Sequence, residues 1–177
     1  MRHAARFGLA AAFLSSFGQT FFIGLFGPAL HAQFGLDARQ WGLLYGAATR
    51  GLLYDLERFR GLGAATLTAT DDGSEGFHGN VLELLAHEQE AGRLPREVRL
   101  LACGPEPMLL AVERLARARE LPCWLSLETQ MGCGVGICNG CPVPTRAEGP
   151  LGAWPNAKCC VEGPVFPIDA ITLETGG

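Results

Sequence analysis

Cys133-Gly-Val-Gly-Ile-Cys138-Asn-Gly-Cys141, followed by the pair Cys159-Cys160, carries the most chemical information in this chain. The C-x4-C-x2-C…C spacing matches the ligand set of a plant-type 2Fe-2S cluster, in which four sulfurs surround two irons. Three thiolates on so short a loop can enclose a cluster only if the backbone folds back sharply, and Gly132, Gly134, Gly136 and Gly140 remove the Cβ atoms that would obstruct it. Their N–H groups are then free to face the sulfurs. The fourth ligand has to come from a separate segment, and spacing alone leaves Cys159 and Cys160 as equal candidates. A structural zinc site competes poorly, because only Cys138 and Cys141 form a C-x2-C knuckle. A disulfide framework fits poorly with seven cysteines, an odd number. Free structural thiols account for Cys103 and Cys123, in apolar strand-like runs, but not for three cysteines among glycines.

The rest of the composition describes a packed protein. The chain has 177 residues, 48% hydrophobic and 18% charged, enough for one medium domain and a small appendage. A net charge of -4 without any run of Lys or Arg argues against a nucleic-acid partner, since phosphate contacts require clustered cations. Reduced cysteines and a labile cluster imply a cytoplasmic protein or one at the cytosolic face of a membrane. From Phe7 to Leu36 there is no Asp, Glu, Lys or Arg, and residues 7–30 are long enough to cross a bilayer as an apolar helix. Arg2 and Arg6 precede this membrane candidate and would hold its start in the cytoplasm. Ser15, Ser16, Gln19 and Thr20, with Gly18, Gly24 and Gly27, suit a helix packed against other membrane helices.

After Gln40 short apolar runs alternate with amphipathic segments, the rhythm of βαβ units around a parallel sheet. Strands are expected at Leu43–Gly46, Ala64–Thr70, Val98–Cys103 and Cys123–Leu127. Crossover helices are expected where apolar residues recur at helical spacing: Leu52 to Phe59, Val81 to Leu85 and Met108 to Leu115. Gly61 and Gly63 would stop the first, Gly92 and Pro95 the second, and Pro122 the third. Ligands of such folds bind where loops leave the carboxyl ends of strands. The loops in question are Gly46-Ala-Ala-Thr49-Arg50, Asp71 to Gly79, and Cys103-Gly-Pro-Glu-Pro-Met108. His78 reads as a turn residue in the second of them.

From about Leu43 to Leu173 the chain resembles the electron-transfer subunit of NAD-dependent dihydroorotate dehydrogenase, within the ferredoxin-reductase-like flavoproteins. The resemblance rests on Tyr45-Gly-Ala…Thr49, on Thr70-Asp-Asp-Gly-Ser with Gly76 and Gly79, on Cys103-Gly-Pro-Glu-Pro-Met108, on Glu128-Thr-Gln-Met-Gly-Cys133 through Cys141, and on Cys160-Val-Glu-Gly-Pro-Val-Phe166. It implies cluster ligation by Cys133, Cys138, Cys141 and Cys160, so it favours Cys160 over Cys159. It also implies contacts to a nicotinamide cofactor from Gly46, Thr49, Asp71, Cys103, Gly104, Pro105 and Met108. In such subunits FAD exchanges a hydride with NAD and passes single electrons through the cluster to a catalytic dihydroorotate dehydrogenase partner of pyrimidine synthesis. The Arg-x-Tyr-Ser motif of the family's flavin barrel is absent. Residues 1–45 instead resemble the opening of a major-facilitator transporter, through Phe22-Ile-Gly-Leu-Phe-Gly-Pro28 and Trp41-Gly-Leu-Leu-Tyr-Gly46. The expected organisation is an apolar, transporter-like segment over 1–42, joined as a chimera to a truncated NAD-binding-like α/β domain over 43–127 and a cluster domain over 128–177. In fold-class terms this is an incomplete doubly wound parallel sheet followed by a small 2Fe-2S domain and preceded by an apolar helix. A membrane-anchored 2Fe-2S module and a non-functional fusion remnant are the alternatives to an electron-transfer subunit.

Overall fold

The computed structural model describes residues 10–11, 42–61 and 65–173. The chain divides between Leu100 and Leu101 into two compact units.

In the first unit β1 is Ala10–Ala11, β2 Gly42–Ala47, α1 Leu56–Arg60, β3 Ala65–Thr70, β4 Phe77–His78 and α2 Val81–Glu90, and β5, Arg99–Cys103, begins at its end. Strands β2 and β3 pair in parallel from Gly42↔Ala65 to Ala47↔Thr70, and β4 continues the sheet in parallel at Ala69↔Phe77. Leu43, Leu44 and Tyr45 are consecutive and all buried. Such an unalternating apolar run marks a strand covered on both faces, as parallel strands usually are. Phe59 of α1 meets Tyr45 edge to face with centroids 5.6 Å apart, and Leu53 and Leu56 pack on the same cluster. The hydroxyl of the buried Tyr45 accepts the Tyr54 N–H at 3.1 Å, satisfying a group that would otherwise be costly to bury.

The single helix expected over Leu52 to Phe59 is split. Arg50–Leu52 form a 3-10 turn, and Asp55 takes a left-handed conformation with φ 54° before α1 begins. The apolar spacing comes from residues on both sides of that break, of which Leu53 on one side and Leu56 and Phe59 on the other pack on Leu43 and Tyr45 of β2. Helix α2 is one piece, closed at its start by a capping box in which Asn80 Oδ1 accepts from Leu82 and Glu83 N–H, and Glu83 returns a carboxylate oxygen to Asn80 N–H. Gly92, with φ +70°, follows its last turn. The apolar N-terminal helix and the transporter-like segment lie outside the described residues, apart from Ala10–Ala11 and the start of β2. Ala10 and Ala11 are extended and pair in parallel with Arg99 and Leu100, so at these two residues the backbone bonds of a strand replace those of a helix. Among the described residues no helix is long and apolar enough to cross a membrane.

In the second unit the end of β5 is followed by α3 Glu106–Ala118, β6 Cys123–Ser126, β7 Pro142–Pro144, β8 Asn156–Lys158 and β9 Val165–Pro167. Helix α3 buries Leu109, Val112 and Ala116. Its end is made by Glu120 at φ 53°, with Leu121 N–H donating to the Ala116 carbonyl, so the chain has already turned before the expected stop at Pro122. Strand β9 returns antiparallel to β6 through Leu125↔Phe166, and β7 and β8 form a separate antiparallel pair. The three pairings that involve β4, β7, β8 and β9 have no counterpart in the expected elements, because runs of two or three residues carry no readable alternation.

This topology places the cysteine segment. Leu127 N–H donates to the Pro164 carbonyl at 2.9 Å, so residues 128–163 leave β6 and return beside it as one closed excursion. The core beneath is Cys141, Val143, Ala157, Cys159, Phe166, Ala170 and Ile171. Glu113 of α3 is buried and pairs with Arg117 at 2.8 Å and Arg146 at 3.0 Å, and Arg146 Nε donates to the Ile171 carbonyl at 2.7 Å. The carboxylate is paired and hydrogen-bonded by both arginines, which is the condition for keeping it inside.

Candidate metal centre

The loop from Cys133 to Cys141 turns through three residues in the left-handed region: Gly134 at φ +67°, Gly136 at +81° and Asn139 at +55°. These bends direct backbone N–H groups inward. Cys138 N–H donates to Cys133 Sγ at 3.4 Å, and Gly140 N–H donates to Cys138 Sγ at 3.4 Å. Hydrogen bonds from the Cys138, Val135 and Ile137 amides stabilise the Cys133 thiolate and draw its pKa down to about 6. Cys141 closes the loop at the start of β7 and is buried.

The β7–β8 register brings the second cysteine segment to this loop. Pro142 pairs with Lys158, and Cys159 N–H donates to the Cys141 carbonyl at 2.9 Å. The two neighbouring cysteines then diverge. Cys159 is fully buried in the core cluster, with its Sγ 3.8 Å from the Leu127 carbonyl. Cys160 puts its Sγ 3.3 Å from Cys141 Sγ. Its thiol is pushed up by the hydrogen bond with Cys141 and by burial, against a Gly136 N–H that favours the thiolate.

The donor set suits a binuclear cluster. Cys133 and Cys138 are linked through the Cys138 N–H, and Cys141 and Cys160 stand with their sulfurs 3.3 Å apart, giving two pairs of thiols. A zinc site needs its ligands around one point, whereas a binuclear cluster divides four thiolates between two irons. Amides already aimed at sulfur provide the outer hydrogen bonds that such clusters use. Four residues before Cys133, Thr129 Oγ1 is buried without a hydrogen-bond partner.

The other candidates fall into two sets. Gly46, Thr49 and Asp71 stand at the carboxyl ends of β2 and β3, where Asp71 N–H donates to the Ala47 carbonyl at 3.1 Å. Gly46 also has a packing role, since a Cβ there would collide with Val81 of α2. The loop after β3 is held internally, with Asp72 Oδ1 accepting from Ser74 N–H at 3.0 Å and from its hydroxyl at 2.5 Å. These hydrogen bonds hold the Asp72 carboxyl below the usual range. Cys103, Gly104, Pro105 and Met108 lie in the second unit, between β5 and the first turn of α3. Burial raises the Cys103 thiol above its ordinary value. Cys123, buried in β6, is pushed up to about 12, first by burial and then by Glu113. The cysteines should therefore differ in reactivity. In iron-free chain at pH 7, iodoacetamide is expected to label Cys133 first and leave Cys123 unlabelled, because only the thiolate attacks. Peptide mass spectrometry over a time course reads the order, and early labelling of Cys123 would contradict it.

Lys158, whose Nζ donates to the Gly136 carbonyl, is a site neighbour that the cysteine spacing does not reveal. The only sequence signal for Lys158 is its place two residues before Cys160, which in extended chain puts both on one face.

Residues 128–172 match the family model for the iron-sulfur cluster binding domain of dihydroorotate dehydrogenase B. Among curated proteins, the electron transfer subunit of dihydroorotate dehydrogenase B (NAD(+)) from Enterococcus faecalis is 38% identical over 128 residues, which cover 72% of this chain and 46% of that protein. The subunit of the same name from Geobacillus thermodenitrificans is 41% identical over 128 residues, covering 72% and 45%. That from Desulforamulus reducens is 36% identical over 125 residues, covering 71% and 45%. The chain thus spans somewhat less than half the length of these relatives. A solved structure of an NADH-dependent reduced ferredoxin-NADP oxidoreductase superposes with a TM-score of 0.67 at 23% identity, covering 94% of this chain and 54% of that one, a likeness of fold. Residues 128–172 of this chain therefore match the iron-sulfur cluster binding domain of dihydroorotate dehydrogenase B, and the chain has a mixed α/β fold with parallel strands like that of the ferredoxin oxidoreductase.

Proposed function

We propose that the chain binds a 2Fe-2S cluster through Cys133, Cys138, Cys141 and Cys160 and works as an electron-transfer subunit of the dihydroorotate dehydrogenase type. The observation that carries this reading is the loop whose amides point at Cys133 and Cys138 while Cys160 meets Cys141. When bound, such a cluster takes up and releases one electron at a time. The chain's own residues would hold the thiolates ionised, fix their spacing, and surround them with N–H donors.

The domain reading accompanies it: a truncated NAD-binding-like α/β domain over 43–127, an incomplete form of the doubly wound sheet, and a cluster domain over 128–177. Nicotinamide contacts would come from Gly46, Thr49 and Asp71 at the strand ends, and from Cys103, Gly104, Pro105 and Met108 at the start of α3, in keeping with ligand placement in open α/β sheets. FAD would be shared with, or supplied by, whatever completes the flavin site. The partner is a catalytic dihydroorotate dehydrogenase subunit of pyrimidine synthesis. Its docking is favoured by the exposed Met131, Val135, Ile137 and Val161 around the cysteines, with Ile137 81% exposed.

Anaerobic purification of the full chain, with visible absorption and quantitation of iron, sulfide and flavin, tests the reading. The expected result is about two irons and two sulfides per chain. Zinc in their place, or no metal, would overturn it. NADH-dependent bleaching of the cluster absorption in the presence of FAD then reports whether the nicotinamide residues act.

A further inference from the structure

One polar link between the cysteine loop and the turn carrying Cys160 is not required by the cysteine pattern. Lys158 ends β8, and its Nζ donates to the Gly136 carbonyl at 2.8 Å. Gly136 lies between Cys133 and Cys138. Its N–H meets the Cys160 thiol, and the space where a Cβ would stand is taken by Val161. Both polar groups of this glycine are thus held by side chains two residues apart, Lys158 and Cys160. The Lys158 backbone is itself fixed: its N–H donates to Glu162 Oε2 at 2.5 Å, and its carbonyl accepts from Val161 and Glu162 N–H at 2.9 Å. Its ammonium is therefore anchored at both ends of the side chain.

We propose that Lys158 is a positioning residue of the cluster site, holding the crest of the loop against Cys160, and that its fixed positive charge raises the reduction potential of the cluster. This rests on the cluster reading above. A four-thiolate cluster becomes more negative by one charge when reduced, so a cation held beside its loop stabilises the reduced form more than the oxidised one. The loop around it is largely exposed and solvent screens the interaction, so what the lysine contributes depends on its ammonium being held at a fixed short distance, at the Gly136 carbonyl. Glu162 is the opposing charge on the same turn; accepting the Lys158 N–H fixes its carboxylate in place but leaves its charge, so the lysine's own contribution is read from variants that alter Lys158 alone. Lysine fits both tasks, with donors for the carbonyl and a compact charge that follows them.

The test compares Lys158→Met, which keeps the length and loses the charge, with Lys158→Arg, which keeps the charge. In the anaerobically purified full chain, a redox titration followed by electron paramagnetic resonance is expected to show a midpoint lower in Lys158→Met by the equivalent of a roughly tenfold change in the reduction equilibrium, about 59 mV for one electron. Lys158→Arg should stay near the unmodified chain. A Lys158→Met midpoint equal to that of the unmodified chain, or an Arg variant as low as the Met one, would overturn the charge effect. Amide hydrogen exchange at Val135–Cys138 in iron-free chain gives the second readout. It should quicken several-fold in Lys158→Met alone, and equal rates in all three proteins would overturn the positioning role. That readout persists if a variant takes up no iron. If the unmodified chain itself binds no cluster, the cluster reading fails, and exchange still judges the loop clamp.

Discussion

Cys160→Ser is expected to remove the visible cluster absorption and nearly all bound iron, whereas Cys159→Ala keeps both. The two residues are adjacent, so the contrast depends on where the chain sends each side chain. Cys141 and Cys159 are joined through the backbone, and Cys160 then meets Cys141 Sγ at 3.3 Å, while Cys159 is enclosed by Val143, Ala157 and Phe166. Serine supplies a hard oxygen where iron-sulfur chemistry selects a soft thiolate. Cys138→Ser should behave like Cys160→Ser. Cys159→Ala leaves a small void in a dry core and should cost about 1 kcal/mol of stability, near the lower end for buried truncations. Iron content after anaerobic purification, with thermal unfolding of the same samples, reads both effects. Cluster loss in Cys159→Ala together with retention in Cys160→Ser would reverse the ligand assignment.

Why spacing leaves that choice open, and what else it leaves open, follows from the kinds of signal the chain carries. Leu43-Leu44-Tyr45 announces a buried strand because consecutive apolar residues have few other uses, and the observed β2 extends the expected Leu43–Gly46 by one residue at each end. Helices α2 and α3 show their apolar face over ten and thirteen residues, long enough for the period to be read. Leu52 to Phe59 misleads because the apolar residues cover β2 from both sides of a left-handed break at Asp55, and spacing does not register a change in backbone hand. Strands β7, β8 and β9 have three residues each, below any readable alternation. Their pairing is what separates Cys159 from Cys160, so that distinction lay in long-range register rather than in local spacing. The glycines were legible as a group, since a tight thiolate loop needs them. Their separate roles were not: Gly134 faces open space, and Gly136 is pressed against Val161.

That difference yields a controlled pair of substitutions, Gly134→Ala and Gly136→Ala. Both residues are left-handed, at φ +67° and +81°, so a Cβ at either carries a backbone cost of about 1–2 kcal/mol. At Gly134 nothing lies within 4 Å of the added atom, and the cost should end there, with the cluster retained. At Gly136 the new methyl would stand 2.6 Å from Val161 Cγ2, a separation that packed carbon atoms do not tolerate. Relief comes from turning the β-branched, half-exposed Val161 side chain or from lifting the loop crest, and lifting it breaks the Lys158 bond to the Gly136 carbonyl and the Gly136 N–H contact with Cys160 together. Gly136→Ala should therefore shed its iron much faster than Gly134→Ala when challenged with a chelator. Adding Val161→Ala removes the obstructing methyls and should return the double variant to the level of Gly134→Ala, since only the backbone cost is left. Equal rates of iron loss in the two single variants would mean that the crest is not clamped. Failure of Val161→Ala to restore retention would place the fault in backbone strain alone. The rescue thus separates a loop that is only bent from one held in place by the segment carrying its fourth thiolate.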